Sequence, residues 1–110
     1  MTGAELRSWC LERAGAEETF PFSPGVSVFK VGGKIFAISS LDSDPLDVSV
    51  KCDPDFAADL RSAHESIAPG YHLNKRHWIT VTVGGDAEDE LIRQLIEDSY
   101  DLVKPRSRRR

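Results

Sequence analysis

Apolar residues recur at helical spacing in three stretches of this chain and at strand spacing in four others. Leu6, Trp9, Cys10 and Ala14 share one helical face, and Thr2 and Glu5 ahead of them have the T-x-x-E spacing of a capping box. This predicts a first helix over about residues 3–14, stopped by Gly15. AEETFPFSPG (16–25) then breaks every period with Pro21, Pro24 and Gly25, and reads as a loop pinned to the core by Phe20 and Phe22. In SVFKVGGKIFAISS two β-rich runs flank Gly32-Gly33, and adjacent glycines supply the positive φ values of a type I′ hairpin.

DVSVKC alternates, with Val48, Val50 and Cys52 on one face and Ser49 and Lys51 on the other, as a strand open to solvent on one side should. Asp53 and Pro54 are an N-cap and a first-turn proline, and Phe56, Leu60, Ala63 and Ile67 form the buried stripe of a second helix ending before Pro69-Gly70. WITVTV alternates again, Ile79, Val81 and Val83 opposite Trp78, Thr80 and Thr82, and YHLN (71–74) allows a short strand before it. Gly84-Gly85 ends that strand and Asp86 is placed to cap. Leu91, Ile92, Leu95, Ile96, Ser99, Leu102 and Val103 then mark a last helix, with carboxylates in its first turn and Pro105 as its stop.

The order is α-β-β-β-α-β(β)-α. One-faced strands with one-striped helices predict an α+β two-layer sandwich, an antiparallel sheet with helices on one face. Residues 1–103 read as a single domain and 104–110 as a basic flexible tail. The apolar share of 40% and charged share of 29% are those of a soluble globular chain, and no stretch approaches the roughly 20 apolar residues that span a bilayer. With no basic segment leading into an unbroken apolar run at the N-terminus, the expected location is cytoplasmic, without membrane association. Cys10 and Cys52 lack CxxC spacing and sit on apolar stripes, which predicts two buried free thiols.

Charge changes the picture further. Five of the 14 basic side chains (Lys104, Arg106, Arg108, Arg109 and Arg110) and none of the 18 acidic ones follow residue 103, so residues 1–103 carry a net −9. Such a body repels polyanions over about 8 Å at physiological salt, and nucleic-acid binding then requires a localised basic surface. Only GYHLNKRHW (70–78) and KPRSRRR (104–110) qualify. In the first, Lys75 and Arg76 suit phosphates, Asn74 a base or phosphate, and Tyr71, His72 or Trp78 a stacking face, with His77 and the sheet-borne Lys51 beside them. The competing reading is a solvated turn whose aromatics cover the sheet edge.

Other chemistries are weaker. His64, His72, His77, Cys10 and Cys52 lack the close paired spacing of zinc ligands, no GxSxG elbow accompanies the serines, and neither glycine pair has phosphate-loop spacing. The expectation is therefore no enzyme, no cofactor and no metal. A tryptophan amid hydroxyls on the exposed sheet face (Ser49, Lys51, Trp78, Thr80, Thr82) also suits a protein partner or self-association.

AGAEETFPF (14–22), FKVGGKIFA (29–37), VSVKCDPDFAADLR (48–61), IAPGYHLNKRHWITV (67–81) and SYDLV (99–103) together resemble the MmcQ/YjbR-like family of small bacterial proteins. The resemblance implies an α+β fold similar to those of type III secretion chaperones and of CyaY, and a DNA-binding role described as a double wing. The leading expectation is weak DNA or other nucleic-acid binding through Lys51, His72, Asn74, Lys75, Arg76, His77 and Trp78. The alternative is a chaperone-like adaptor that uses the open sheet face.

Overall fold

At the N-terminus, Thr2 and Glu5 form the cap that their spacing predicts: Glu5 N donates to Thr2 Oγ1 at 3.1 Å and Thr2 N to Glu5 Oε1 at 2.8 Å. The helix they start, α1, spans Gly3–Leu11, a turn shorter than expected, and Ala14 is exposed beyond it. The computed structural model describes residues 1–70 and 73–105. Next come β1 (Glu17–Thr19), β2 (Ser27–Val31), β3 (Lys34–Ser39), β4 (Asp47–Lys51), α2 (Pro54–Ala63), β5 (Ile67–Pro69), β6 (Trp78–Thr82) and α3 (Asp89–Val103). The fold is α+β, with six strands in one sheet of order β1-β2-β3-β4-β6-β5, antiparallel at every pairing.

The Gly32-Gly33 hairpin forms with φ of 57° and 81°, the left-handed pair that a two-residue turn needs. One residue of register is lost inside it: Phe29 pairs with Ala37 but Lys30 with Ile35, which leaves Phe36 as an extra residue on β3. That bulge lets Phe36 and Ala37 both be fully buried. Phe36 meets Tyr100 of α3 edge-on at 5.4 Å. The Tyr100 hydroxyl donates to Ala14 O, and Trp9 Nε1 to Arg93 O at 3.1 Å, so α3 is tied to the segment around α1 at two points. Beneath the helices Leu6, Phe29, Val50, Ile79, Ile92 and Ile96 are among the buried core. Cys10 and Cys52 are buried and unpaired, as expected.

Several expectations need correction. β1 lies within the stretch read as a loop; its three residues show no period of their own and are strand because β2 offers them a ladder. Phe20 and Phe22 do not pin that stretch to the core; they are 51% and 62% exposed. On α2 the buried residues are Ala57 and Leu60, while Phe56 and Ala63 face solvent and Ile67 belongs to β5. The strand before β6 is Ile67–Pro69 and not YHLN, of which residues 71 and 72 lie outside the described residues. Asp86 does not cap α3, whose N-cap is Glu88 without a side-chain bond. Its carboxylate instead accepts from Glu65 N, Ser66 N and Ser66 Oγ, and so closes the turn between α2 and β5. Leu102, expected on the buried stripe of α3, is 55% exposed. Residues 106–110 of the basic tail lie outside the described residues; Lys104 pairs with Asp101 at 3.0 Å.

Candidate functional site

Partners in an antiparallel ladder share a face, so the pairings define what the sheet presents away from the helices. One row runs Thr19, Val28, Ile38, Ser49, Thr80 and Ala68 across all six strands. Two residues along the strands, on the same face, Lys30 pairs with Ile35 and Lys51 with Trp78, and on the other side of that row Asp47 pairs with Thr82. Lys51, Trp78 and Thr80 thus share the face expected of them, and each is partly exposed.

The turn ahead of β6 places more of the candidates next to Trp78. Asn74 Oδ1 accepts from Arg76 N at 2.9 Å and His77 N at 3.3 Å, and its carbonyl accepts Trp78 N at 3.0 Å. This is turn-building work: an asparagine side chain imitates a backbone acceptor and bends the chain. His77 O accepts Cys52 N at 2.7 Å, which stitches the turn to the end of β4 next to Lys51. Lys75 Nζ reaches back to Gly70 O at 3.3 Å, while Arg76 and His77 are exposed. Gly70 is buried against β6, its N donating to Trp78 O at 2.9 Å; a Cβ there would lie 2.6 Å from Trp78 Cβ. Lys51, Asn74, Lys75, Arg76, His77 and Trp78 therefore gather at one end of the sheet, and His72 lies outside the described residues.

Two features escaped the sequence reading. Lys30 joins the same face as Lys51, legible only once the hairpin register is known. The face is also less open than its alternation predicts: Ser49 is 8% exposed, and Val28 is fully buried although it is not in the core beneath the helices. A cleft of about 490 Å³ lies over this part of the sheet. Phe22 and Val26 border it from the β2 side and Leu73 from the β6 side, above a floor that includes Ile38, Ser49 and Thr80. The unbroken apolar run IFAI (35–38) was the available signal, since a strand covered on both faces loses its alternation. Asp47 lines the same cleft, and burial pushes its carboxyl above the usual aspartate range.

Electrostatics elsewhere are those of scaffold groups. Burial pushes the Cys10 thiol up to about 12, and burial followed by the Asp53 and Asp98 carboxylates raises that of Cys52, so both are neutral thiols at pH 7. Among the described residues no helix is long and apolar enough to cross a membrane.

The family model for YjbR matches residues 11–102. Protein YbdF of Escherichia coli O157:H7 is 45% identical over 94 residues, 84% of this chain and 76% of that protein. Protein YjbR of Escherichia coli K12 is 36% identical over 101 residues, covering 91% and 85% of the two chains. A crystal structure from Deinococcus radiodurans superposes with TM-score 0.87 at 48% identity, over 93% of this chain and 78% of that one. One from Pseudomonas syringae does so with TM-score 0.81 at 26% identity, over 94% and 100%. A match that takes in all six strands, α2 and nearly all of α3 makes this chain a member of the YjbR family.

Proposed function

We propose that this chain is a cytoplasmic binding protein, not an enzyme, whose sheet face takes single-stranded nucleic acid weakly at the end that carries Lys51 and Trp78. The supporting observation is the cross-strand pair Lys51 and Trp78, a cation beside a partly exposed indole, with Arg76 exposed on the adjoining turn and Lys30 on the same face. A sheet-borne tryptophan stacks an unpaired base, worth about 1–3 kcal/mol, whereas duplex bases are already stacked on one another. Val28 and Thr80, two residues from Lys30 and Trp78 on the same face, are three inter-strand steps of about 4.8 Å apart, which spaces Lys30 and Trp78 by roughly 14 Å, room for two or three nucleotides. The net −9 of residues 1–103 keeps the binding weak and dependent on low salt.

Fluorescence anisotropy of the chain truncated after Pro105, with single- and double-stranded oligonucleotides at low salt, tests this. The expected result is retained single-strand binding that Trp78→Ala weakens by the roughly 1–3 kcal/mol of one stacked base. No binding to either probe, with the truncated chain folded, overturns it. The same face, with Phe20 and Phe22 exposed at its margin, also suits a second copy of the chain. Sedimentation of the wild type and of Trp78→Ala separates that reading, since it requires concentration-dependent self-association that the substitution weakens.

A further inference from the structure

The cleft over β3, β4 and β6 is lined by residues other than those of the basic end of the sheet. Asp47 and Lys51 are at opposite ends of β4, four residues or about 13 Å apart. The cleft's walls are apolar, and its floor hydroxyls Ser49 and Thr80 bond to each other at 2.7 Å. Asp47 is different. Its backbone is fixed by the pairing with Thr82 and by Ser39 Oγ, which donates to Asp47 O at 2.6 Å. Its carboxylate has no ion pair or hydrogen bond among the described residues, although it is half-buried. A partly desolvated carboxylate without a partner is costly, and a cation arriving with its own apolar surface relieves that cost. Drug-sized ligands occupy pockets of roughly 300–1,000 Å³ lined mostly by apolar groups with a few fixed polar anchors, which matches this cleft.

We propose that the cleft binds a small amphipathic amine, its apolar body between Phe22, Val26, Ile38 and Leu73 and its ammonium group on the Asp47 carboxylate. The amine is recognised by one charge-assisted contact and by shape. None of Lys51, Trp78 and Arg76 lines the cleft, so its occupancy and nucleic-acid binding are tested separately.

A two-dimensional amide NMR titration of the full chain with 2-phenylethylammonium, 2-phenylethanol and phenylacetate tests it. The ammonium is expected to give saturable shifts at Ser40, Asp47, Leu73 and Thr80, with the alcohol at least about tenfold weaker and phenylacetate weaker still. Asp47→Asn should cost the ammonium about tenfold or more and leave the alcohol unchanged. Equal affinity for ammonium and alcohol, shifts centred away from these residues, or no shifts at about 20 mM ligand would each overturn the proposal. The comparison of three ligands on the wild type decides even if Asp47→Asn fails to fold.

Discussion

Ser99 Oγ of α3 accepts the backbone N–H of Lys51 at 2.9 Å and donates to Phe36 O at 2.7 Å. The bulge at Phe36 ends the β3–β4 ladder at Ala37 and Val50, and this fully buried hydroxyl supplies the missing rung between the two strands. It also holds the end of β4 that carries Lys51.

Ser99→Ala keeps the volume but leaves the Phe36 carbonyl and the Lys51 amide without their partner in a dry interior. An unsatisfied buried group costs about 1–3 kcal/mol, so the substitution should destabilise the fold by about 2–4 kcal/mol. Urea unfolding with an unchanged m-value reads this. A loss below about 0.5 kcal/mol would mean that the two backbone groups bond directly or to water.

Gly70→Ala tests the close approach of β5 and β6. Its Cβ would meet Trp78 Cβ at 2.6 Å and Trp78 O at 3.1 Å, and backbone on one side cannot yield as a flexible side chain would. A cost of about 1–3 kcal/mol is expected, together with a changed indole fluorescence because Trp78 must shift. Wild-type stability with unchanged emission would show that the turn relaxes freely.

The capping box, the glycine hairpin and the alternation in WITVTV were legible because each is decided by residues near in sequence. β1 was not: Glu17, Glu18 and Thr19 are strand only because Val28, Phe29 and Lys30 lie alongside. Asp86 was misplaced for a related reason. Its position ahead of a helix invites a cap, but the free amides of Glu65 and Ser66, about twenty residues earlier, compete for it and win. At the candidate site, Lys51 and Trp78 could be set on one face from alternation alone, whereas the cleft needs Val26 and Leu73 from two loops and was invisible. Asn74 illustrates an ambiguity that only coordinates resolve, since the oxygen that suits a base also suits a turn.

Asp86 gives a pH prediction. Hydrogen bonds from Ser66, then those from Glu65, with a smaller contribution from His64, hold its carboxyl down at about 2. A folded-state value below the unfolded one means that the unfolded chain binds more protons in between. The contribution is therefore present above the ordinary aspartate range and is lost as pH falls through about 2. Carboxyl carbon NMR should show the Asp86 midpoint near that value, and the Glu65 and Ser66 amides should lose exchange protection over the same interval. Titration at an ordinary aspartate value would show that the turn is not closed by this side chain.

The basic tail and the sheet face would bind polyanions in different ways, and salt separates them. If residues 106–110 carry all the affinity, truncation after Pro105 abolishes binding, because what remains is strongly acidic and repels phosphate. If the sheet face contributes, the truncated chain binds single strands, and each phosphate neutralised adds about −0.7 to the slope of log affinity against log salt. Contacts from Lys51 and Arg76 give a slope near −1.4. Arg76→Ala is the cleaner substitution on the turn, since Lys75 also braces Gly70 O and its loss would disturb the loop itself. It should reduce the slope by about 0.7 and weaken all sequences alike, because a phosphate contact carries no base preference. Trp78→Ala should lower affinity at every salt concentration while leaving the slope unchanged, as expected of a stacking contact that releases no counterion. A slope that Arg76→Ala leaves unchanged would place the phosphates elsewhere on the chain, and the sheet face would lose its claim to the nucleic acid.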